Sequence, residues 1–260
     1  MRVAVDRGVV THVRLTRGDK RNGLDLEMFE ALAAVGDALR HDAKVRAVVL
    51  SAEGPAFCAG LDWKAFMSTA GASQKLLERP KDRPGNLAQE IAWVWQEVPV
   101  PVIAALHGAC FGGGFQLAMG ADLRIAARDT QLSIMEIEYG LIPDMGISRT
   151  VFPLLRLDVL KELMFTGRIV DAEEGLALGL LTRVVDDPLA EAMALAETIA
   201  SKSPHAIRAG KKLVGELQLR DVRAAFELET ELQLRLLGSP NQMEAAMAKM
   251  QKRVAVFQDP

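Results

Sequence analysis

The stretch that decides the fold is residues 100–146, VPVIAALHGACFGGGFQLAMGADLRIAARDTQLSIMEIEYGLIPDMG. Its segment Val102–Leu106 is apolar without alternation, which is typical of a strand covered on both faces. Three glycines, Gly112–Gly114, follow it, and glycine permits positive φ and a close approach of a ligand to the backbone. Residues 115–119 then have helical character. The stretch therefore predicts a strand, a glycine-rich turn and the start of a helix.

The glycine-rich turn is a candidate anion site. Free N–H groups around Gly113 would lie at a helix N-terminus, which carries partial positive charge. A phosphate loop needs Gly-Lys-Ser/Thr after its glycines, but Phe115 and Gln116 stand there. A dinucleotide fingerprint needs a third glycine where Leu117 stands. The spacing disfavours both phosphate sites and leaves two alternatives, a site for a developing oxyanion or tight packing of helix on sheet.

Composition and charge narrow the class of protein. A length of 260 residues predicts one domain, or one domain with an appendage. The net charge of −3 gives no electrostatic footprint for nucleic acid. Without a run of ~18 apolar residues, no membrane span is expected, and the opening MRVAVDRGVV lacks the apolar region of a signal peptide. Two cysteines, Cys58 and Cys110, fit a reducing cytoplasm, and the absence of a Cys/His cluster predicts no metal.

Two motifs carry a family resemblance. HGACFGGGFQLAMGADLRIA at 107–126 resembles the central motif of the crotonase superfamily, the enoyl-CoA hydratase/isomerase family, and AFCAGLDW at 56–63 resembles its other signature. The resemblance extends over nearly the whole chain. It implies an α/β fold with a crotonase-like (ClpP/crotonase) spiral of ββα units over residues 1–187. An all-helical trimerisation region would follow over residues 188–260, so a homotrimer or a dimer of trimers is expected.

The C-terminal region has its own sequence pattern. Asp-Pro and Ser-Pro pairs predict helix starts at Pro188, Pro204 and Pro240. Between them, an apolar series recurs at helical spacing and is formed by Val222, Phe226, Leu228, Leu232 and Leu236. The resemblance implies that this region makes the trimer interface and part of a neighbour's active site.

The resemblance also assigns the binding residues. In the family, two backbone N–H groups hold the thioester oxygen of an acyl-CoA, and they match Leu61 and Gly113 here. The family's first polar loop lies near the CoA nucleotide, and Gly18 replaces its usual proline in this chain. The candidate contacts to CoA are Arg17, Lys20, Arg21, Ala59 and Asp62. Of these, Asp62 is interpreted first as the N-cap of a following helix. CoA is part of the substrate, so no separate cofactor is expected.

Three side chains are candidates for the chemistry. Hydratases of the family use two glutamates, and the first of them corresponds to Gln116, whose amide can orient a water or a thioester but cannot exchange a proton. The second matches Glu136. The run from Glu136 to Asp144 looks like that of dienoyl-CoA isomerases, which have an acid at both positions. Structural alternatives remain open, namely an ion pair of Glu136 with Arg124 or Arg149 and a turn role for Asp144. Glu138 is expected to point away if the segment is extended.

Residues 64–97 are the least regular part of the chain. Its apolar side chains predict either a loose insertion or a lid over the acyl tail, and the resemblance favours the lid. The large side chains in question are Trp63, Phe66, Met67, Trp93 and Trp95. A histidine nucleophile is disfavoured because no Gly-x-Ser-x-Gly elbow is present, and His107 is interpreted as a loop-stabilising residue.

The functional prediction is a CoA-thioester enzyme that moves a double bond by proton transfer. Leu61 and Gly113 would stabilise an enolate, with Glu136 as main base and acid, Asp144 assisting and Gln116 orienting. Hydration of a 2-enoyl-CoA is the alternative within the fold. An acyl-CoA-binding protein with little catalysis is the alternative of another class.

Overall fold

A computed structural model describes residues 1–81, 83–216, 235 and 238–259. The apolar series predicted between residues 222 and 236 lies outside these residues. The strands are β1 (Val3–Asp6), β2 (Val10–Leu15), β3 (Ala47–Ala52), β4 (Val102–Leu106), β5 (Ala109–Phe111), β6 (Leu123–Ala127), β7 (Gln131–Ser133), β8 (Val170–Asp171) and β9 (Arg183–Val185). The helices are α1 (Leu26–Arg40), α2 (Trp63–Ser68), α3 (Ala72–Leu77), α4 (Leu87–Glu97), α5 (Gly113–Met119), α6 (Ile147–Thr150), α7 (Leu157–Thr166), α8 (Ala172–Leu178), α9 (Pro188–Ala200), α10 (Pro204–Glu216) and α11 (Pro240–Gln251).

A six-stranded sheet in the order β1-β2-β3-β4-β6-β9 forms the frame. The hairpin β1–β2 is antiparallel, as predicted, and the other pairs are parallel. All five residues of β4 are buried, which confirms that this strand is covered on both faces. Parallel strands need crossover connections, and α1 and α4 supply two of them. The glycine-rich turn follows this central strand.

The two faces of the sheet bury separate apolar clusters. Alternate residues of β3 point to opposite faces, so Val48 and Leu50 join the larger cluster while Ala47 and Val49 join the smaller one. The smaller cluster is closed by α9 through small side chains such as Ala192. Because α9 packs on the same sheet, it belongs to the core. The predicted domain boundary at residue 187 had placed α9 outside that core. The oligomerisation role of residues 188–260 stays a prediction.

A three-stranded sheet, β5-β7-β8, stands beside the first. The segment before α2 pairs with it through backbone hydrogen bonds from Cys58 N to Ala109 O (3.1 Å) and from Phe111 N to Cys58 O (3.0 Å). The two signature motifs, which begin at residues 56 and 107, therefore lie side by side. This pairing brings Leu61 near Gly113.

Buried polar contacts hold α10 against the core. Lys211 Nζ donates to Asp122 Oδ2 (2.6 Å) and to the carbonyls of Trp95 (2.9 Å) and Val100 (3.0 Å). Burial lowers the pKa of Lys211 and raises that of Asp122, because desolvation disfavours both charged forms. The predicted helix starts at residues 188, 204 and 240 are confirmed. Within the described parts of the chain, no helix is long and apolar enough to cross a bilayer.

Candidate active site

Two glycines with positive φ bring the signature segments together. Gly60 (φ +91°) and Gly112 (φ +52°) adopt backbone conformations that other residues rarely take. A Cβ atom on Gly60 would lie 3.0 Å from Phe111 O and 3.7 Å from Gly113 N. The peptide that follows Gly60, which carries the Leu61 N–H, is thus next to the first turn of α5.

The N–H groups of Leu61 and Gly113 are available to a ligand. Among the described residues, neither group donates a hydrogen bond to a protein acceptor. Gly113 is the first residue of α5, where an N–H has no partner within the helix. Both residues line the same cavity. The pair lies where the predicted oxyanion hole requires two donors, and its use in catalysis stays a prediction.

Gly114 is required for this close approach. A Cβ there would lie 2.2 Å from the backbone oxygen of Cys58, which cannot move without disturbing the strand pairing. We expect Gly114→Ala to lower the free energy of unfolding by about 3 kcal/mol, as overpacking against backbone does. Gly210→Ala is the matched control, because Gly210 lies inside α10 with nothing within 4 Å of a Cβ. It should raise the free energy by about 0.5–1 kcal/mol, and urea unfolding of both variants makes the comparison.

The cavity beside these N–H groups has a volume of about 390 Å³, within the size range of small-molecule sites. Its lining is mostly apolar and comes from α1–α5 and the connecting loops. The apolar and aromatic lining residues are Leu24, Phe29, Ala59, Leu61, Trp63, Phe66, Leu76, Leu77, Ala88, Phe111, Met135, Tyr139, Leu141, Ile142 and Met145. Trp63 stacks on Tyr139, with ring centroids 5.0 Å apart. This contact joins α2 to the turn that carries Glu136.

The prediction that residues 64–97 line the acyl pocket is right only in part. Phe66 lines the cavity, as does the preceding Trp63, but Met67 is 78% exposed and lies outside it. Trp95 is fully buried on the core face of α4 and donates to Ile91 O (2.7 Å). Trp93 lies on another side of α4 and donates to Glu97 Oε1 (3.0 Å). Helix periodicity turns Trp93 and Trp95 away from the cavity, so α4 lines it with Ala88 instead.

Glu136 presents one unpaired carboxylate oxygen. It opens the 3-10 turn Glu136–Tyr139, and its Oε1 accepts a hydrogen bond from Gln116 Nε2 (2.6 Å). Its Oε2 is buried and has no hydrogen-bond partner among the described residues. Burial raises the pKa of Glu136, and the charge of Asp144 raises it further, while the Gln116 hydrogen bond opposes both. A buried, unpaired carboxylate of raised pKa is suited to accept a proton.

Gln116 does not face the cavity. It is fully buried, and its Oε1 accepts a hydrogen bond from Met145 N (2.8 Å) while its Nε2 donates to Glu136. Both ends of the amide are therefore used inside the protein. The expectation that Gln116 orients a water or a thioester is wrong in this structure, because Gln116 orients Glu136 and the loop after Asp144.

The other acids near the turn differ in their placement. Asp144 lines the cavity with a more exposed side chain, and partial desolvation raises its pKa. Glu138 is not in the lining, as predicted, but the reason was wrong because this segment is a 3-10 turn and not an extended strand. The alternative ion pair between Glu136 and Arg124 is not formed. The Arg124 guanidinium donates instead to the carbonyls of Ala121 (2.6 Å) and Leu180 (2.7 Å).

Two predicted CoA contacts bind each other. Arg17 Nη2 lies 2.7 Å from Asp62 Oδ2, and Asp62 also caps α2 by accepting from Ala65 N (3.0 Å). The Asp62 N-cap is confirmed, and hydrogen bonds from Ala65 and Arg17 lower the pKa of Asp62. Lys20 and Arg21 are exposed on the same loop, which leaves their charges free for phosphate. Ala59 lies in the cavity wall.

These geometries can be compared with known proteins. A family model described as enoyl-CoA hydratase/isomerase matches residues 6–260. The chain belongs to the enoyl-CoA hydratase/isomerase family. It is similar to the human mitochondrial Delta(3,5)-Delta(2,4)-dienoyl-CoA isomerase, with 33% identity over 88% of this chain and 71% of that protein. It is also similar to the mouse mitochondrial methylglutaconyl-CoA hydratase, with 28% identity over 95% and 79% of the two chains.

Solved structures agree with the family. The crystal structure of an enoyl-CoA hydratase from Bacillus anthracis matches with a TM-score of 0.89 and 27% identity, over 99% of each chain. The fold of this enoyl-CoA hydratase/isomerase family member is thus the crotonase fold. Its relatives are enzymes that act on CoA thioesters, so the chain is an enzyme of this type and the binding-protein alternative is set aside.

Sequence reasoning missed one structural residue of this hydratase/isomerase site. Asn22 is fully buried with φ +52°, and its Nδ2 donates to Glu53 O (2.8 Å) and Ala56 O (2.9 Å). It ties the Arg17 loop to the segment that leads into Leu61. A signal was available, because Asn tolerates this backbone conformation better than most residues. His107, by contrast, holds a loop as predicted, through Gly54 O (2.9 Å).

Proposed function

We propose that this enzyme moves a double bond of an enoyl- or dienoyl-CoA by proton transfer. The observation that carries the proposal is the buried Glu136 Oε2, which has no partner among the described residues, on a residue that lines the same cavity as Leu61 and Gly113. One carboxylate suffices to take a proton from one carbon and return it to another. The two N–H groups would stabilise the enolate between these steps, each worth about 10²–10³ in rate.

The proton is conserved over the proposed cycle. The Glu136 carboxylate takes a proton from C2 of a 3-enoyl thioester, and the electron pair moves onto the thioester oxygen as the dienolate forms. Leu61 N–H and Gly113 N–H hold that oxygen. The protonated Glu136 then returns the proton to C4, and the double bond lies between C2 and C3. With a 3,5-dienoyl thioester, Asp144 would assist delivery to the more distant carbon.

Hydration of a 2-enoyl-CoA is the second candidate. It is supported by Asp144, a second carboxylate on the cavity that could act with Glu136 on a water molecule. Gln116 argues against it, because its amide acts as neither an acid nor a base near neutral pH and both its ends are bonded to protein. Relatives of both kinds, an isomerase and a hydratase, are similar to this chain.

The test uses three substrates and the absorbance of the conjugated enoyl thioester. A rise with a 3-enoyl-CoA, or a shift with a 3,5-dienoyl-CoA, is expected for isomerisation. Loss of absorbance with a 2-enoyl-CoA would favour hydration. No change with any of the three, while octanoyl-CoA still binds, would contradict the proposal.

The pH dependence of kcat/KM tests the role of Glu136. Activity needs the ionised carboxylate, so it should fall as pH drops through the raised pKa, above the ordinary value of 4.5. Asp144→Asn should move this acid limb to lower pH, because it removes the negative charge that raises the pKa of Glu136. Gln116→Met should move it to higher pH, because it removes the hydrogen bond that lowers that pKa. Shifts of the same sign in both variants would contradict the assignment.

The quaternary structure and location complete the proposal. A homotrimer or dimer of trimers is supported by exposed large apolar side chains, which include Ile137, Phe152, Leu157, Phe165 and Ile169 and, in the predicted oligomerisation region, Val214, Met243 and Met247. A cytoplasmic location is supported by the free, buried thiols of Cys58 and Cys110. Lys20 and Arg21 would meet the phosphates of CoA. Light scattering of the purified protein tests the oligomeric state.

A further inference from the structure

The charged side chains that line the acyl cavity are all acidic. Among the described residues that line it, Glu136 and Asp144 are acids, and no Lys, Arg or His is present. Burial raises the pKa of both carboxyls, because desolvation disfavours their charged forms. Apart from the two backbone N–H groups that would hold the thioester oxygen, the described lining residues offer no group that could pair with an anionic part of a ligand.

The cavity wall on the side of α1, α3 and α4 is apolar. Phe29 on α1, Leu76 on α3 and Ala88 on α4 are 2%, 6% and 4% exposed, and all three belong to the main hydrophobic cluster. Phe66 on α2 packs against the same cluster. A ligand tail that reaches this wall meets no hydrogen-bond donor from these side chains.

Two basic side chains close to the cavity, Arg17 and Lys75, are paired with acids outside it. Arg17 is bound by Asp62 and also donates to Gly23 O (2.8 Å). Lys75 on α3 is 62% exposed and faces Glu30, with Nζ 3.9 Å from its carboxylate. Neither residue belongs to the cavity lining.

We infer that this site selects acyl groups that are uncharged along their whole length and rejects acyl groups that carry a second carboxylate. The inference deepens the proposed function and rests on it for the use of an acyl-CoA. A distal carboxylate would lose its hydration against α1, α3 and α4 without gaining a cation. Glu136 and Asp144 would also repel it, and this repulsion is strong where water is excluded.

The first experiment measures binding by calorimetry with three saturated thioesters, which can be neither isomerised nor hydrated. These are octanoyl-CoA, the mono-CoA thioester of octanedioic acid and the ω-methyl ester of that thioester. We expect octanoyl-CoA to bind about 100-fold more tightly than the carboxylate. The methyl ester, which is bulkier but neutral, should recover most of the loss. Equal dissociation constants for octanoyl-CoA and the carboxylate, or an ester that binds no better than the carboxylate, would overturn the inference.

The second experiment compares two variants at one position of the cavity lining, one charged and one neutral. Leu77 lines the cavity and is 56% exposed, so α3 can accept a polar side chain there without loss of core packing. Leu77→Arg should bind the carboxylate thioester about tenfold more tightly than Leu77→Gln does, because only arginine offers a charged partner. Octanoyl-CoA should show no such gain. Equal carboxylate affinity in the two variants would count against charge as the cause of selection.

The two proposals fail in different ways. If the proposed reaction is wrong, the absorbance assay is silent while the preference for octanoyl-CoA remains. If the inferred selectivity is wrong, the three dissociation constants coincide whether or not turnover is found.

Discussion

Replacing Glu136 by glutamine is expected to lower turnover at least about 10³-fold while octanoyl-CoA still binds. Gln116 would still donate to the side-chain oxygen at position 136, so the local geometry is preserved. The amide lacks the basic oxygen that is unpaired in Glu136. The absorbance assay gives the rate, and calorimetry gives the dissociation constant.

The same variant separates catalysis from folding. The pKa of Glu136 is raised in the folded protein, so its protonated form is the stabilising one. That stability is present below the unfolded pKa and is lost as pH rises through the folded pKa. Glu136→Gln should therefore have a higher free energy of unfolding than the parent at pH 7, with a smaller difference near pH 4. A less stable variant at pH 7 would mean that the lost activity reflects damage to the fold.

A neighbouring acid provides the matched control for this experiment. Glu138 lies on the same 3-10 turn but outside the cavity lining. Glu138→Gln makes the same chemical change two residues away and should leave turnover within about twofold of the parent. An equal loss of turnover in both variants would contradict the assignment of Glu136 as the base.

Replacing Gly113 by proline is expected to lower kcat about 10²–10³-fold, because proline removes one donor of the proposed oxyanion hole. Backbone donors are rarely accessible to mutation, but Gly113 is the first residue of α5, a position that tolerates proline. No helical hydrogen bond is lost there. The rate should fall mainly in kcat, since the enolate oxygen needs the donor more than the substrate does.

Gly113→Ala is the control for the added side-chain atoms. A Cβ at this position would lie 2.8 Å from Leu24 Cδ1 and 3.0 Å from Met145 Sδ, both at the ends of flexible side chains. Alanine and proline share this contact, but alanine keeps the N–H. The ratio of their kcat values therefore measures the loss of the N–H together with the proline ring atoms that replace its hydrogen. Equal values in the two variants would rule out Gly113 N–H as a contributor to the rate.

The parts of the site that depend on backbone were predictable from sequence. Gly60 and Gly112 have positive φ, and such positions can be recognised in the sequence because few residues other than glycine adopt this conformation. Strand β4 was predictable because its apolar run has no alternation, whereas the short strand β5 between β4 and Gly112 was not predicted. Asp62 was predictable as an N-cap because capping acts over three residues.

The parts that depend on distant side chains were not predictable. Gln116 could point into the cavity or away from it, and only the packing of the loop at Met145 decides this. Arg17 forms an ion pair with Asp62, which lies 45 residues later in the chain, and no local sequence pattern indicates that pairing. Trp95 is a different case. The start of α4 has a capping box at Asn86 and Gln89, so its helical register, and with it the inward direction of Trp95, could have been inferred.

The stacking of Trp63 on Tyr139 joins the wall of the cavity to the turn that carries the proposed base. One ring belongs to α2 on that wall, and the other ends the turn that begins with Glu136. Under the proposed function, a substrate tail that fills the cavity would press on α2 and, through this contact, hold the turn in place. A truncated tail would leave the turn free to shift. Binding energy from the unreactive end of the substrate would then act at the reacting carbons, so we expect short substrates to have a lower kcat even at saturation.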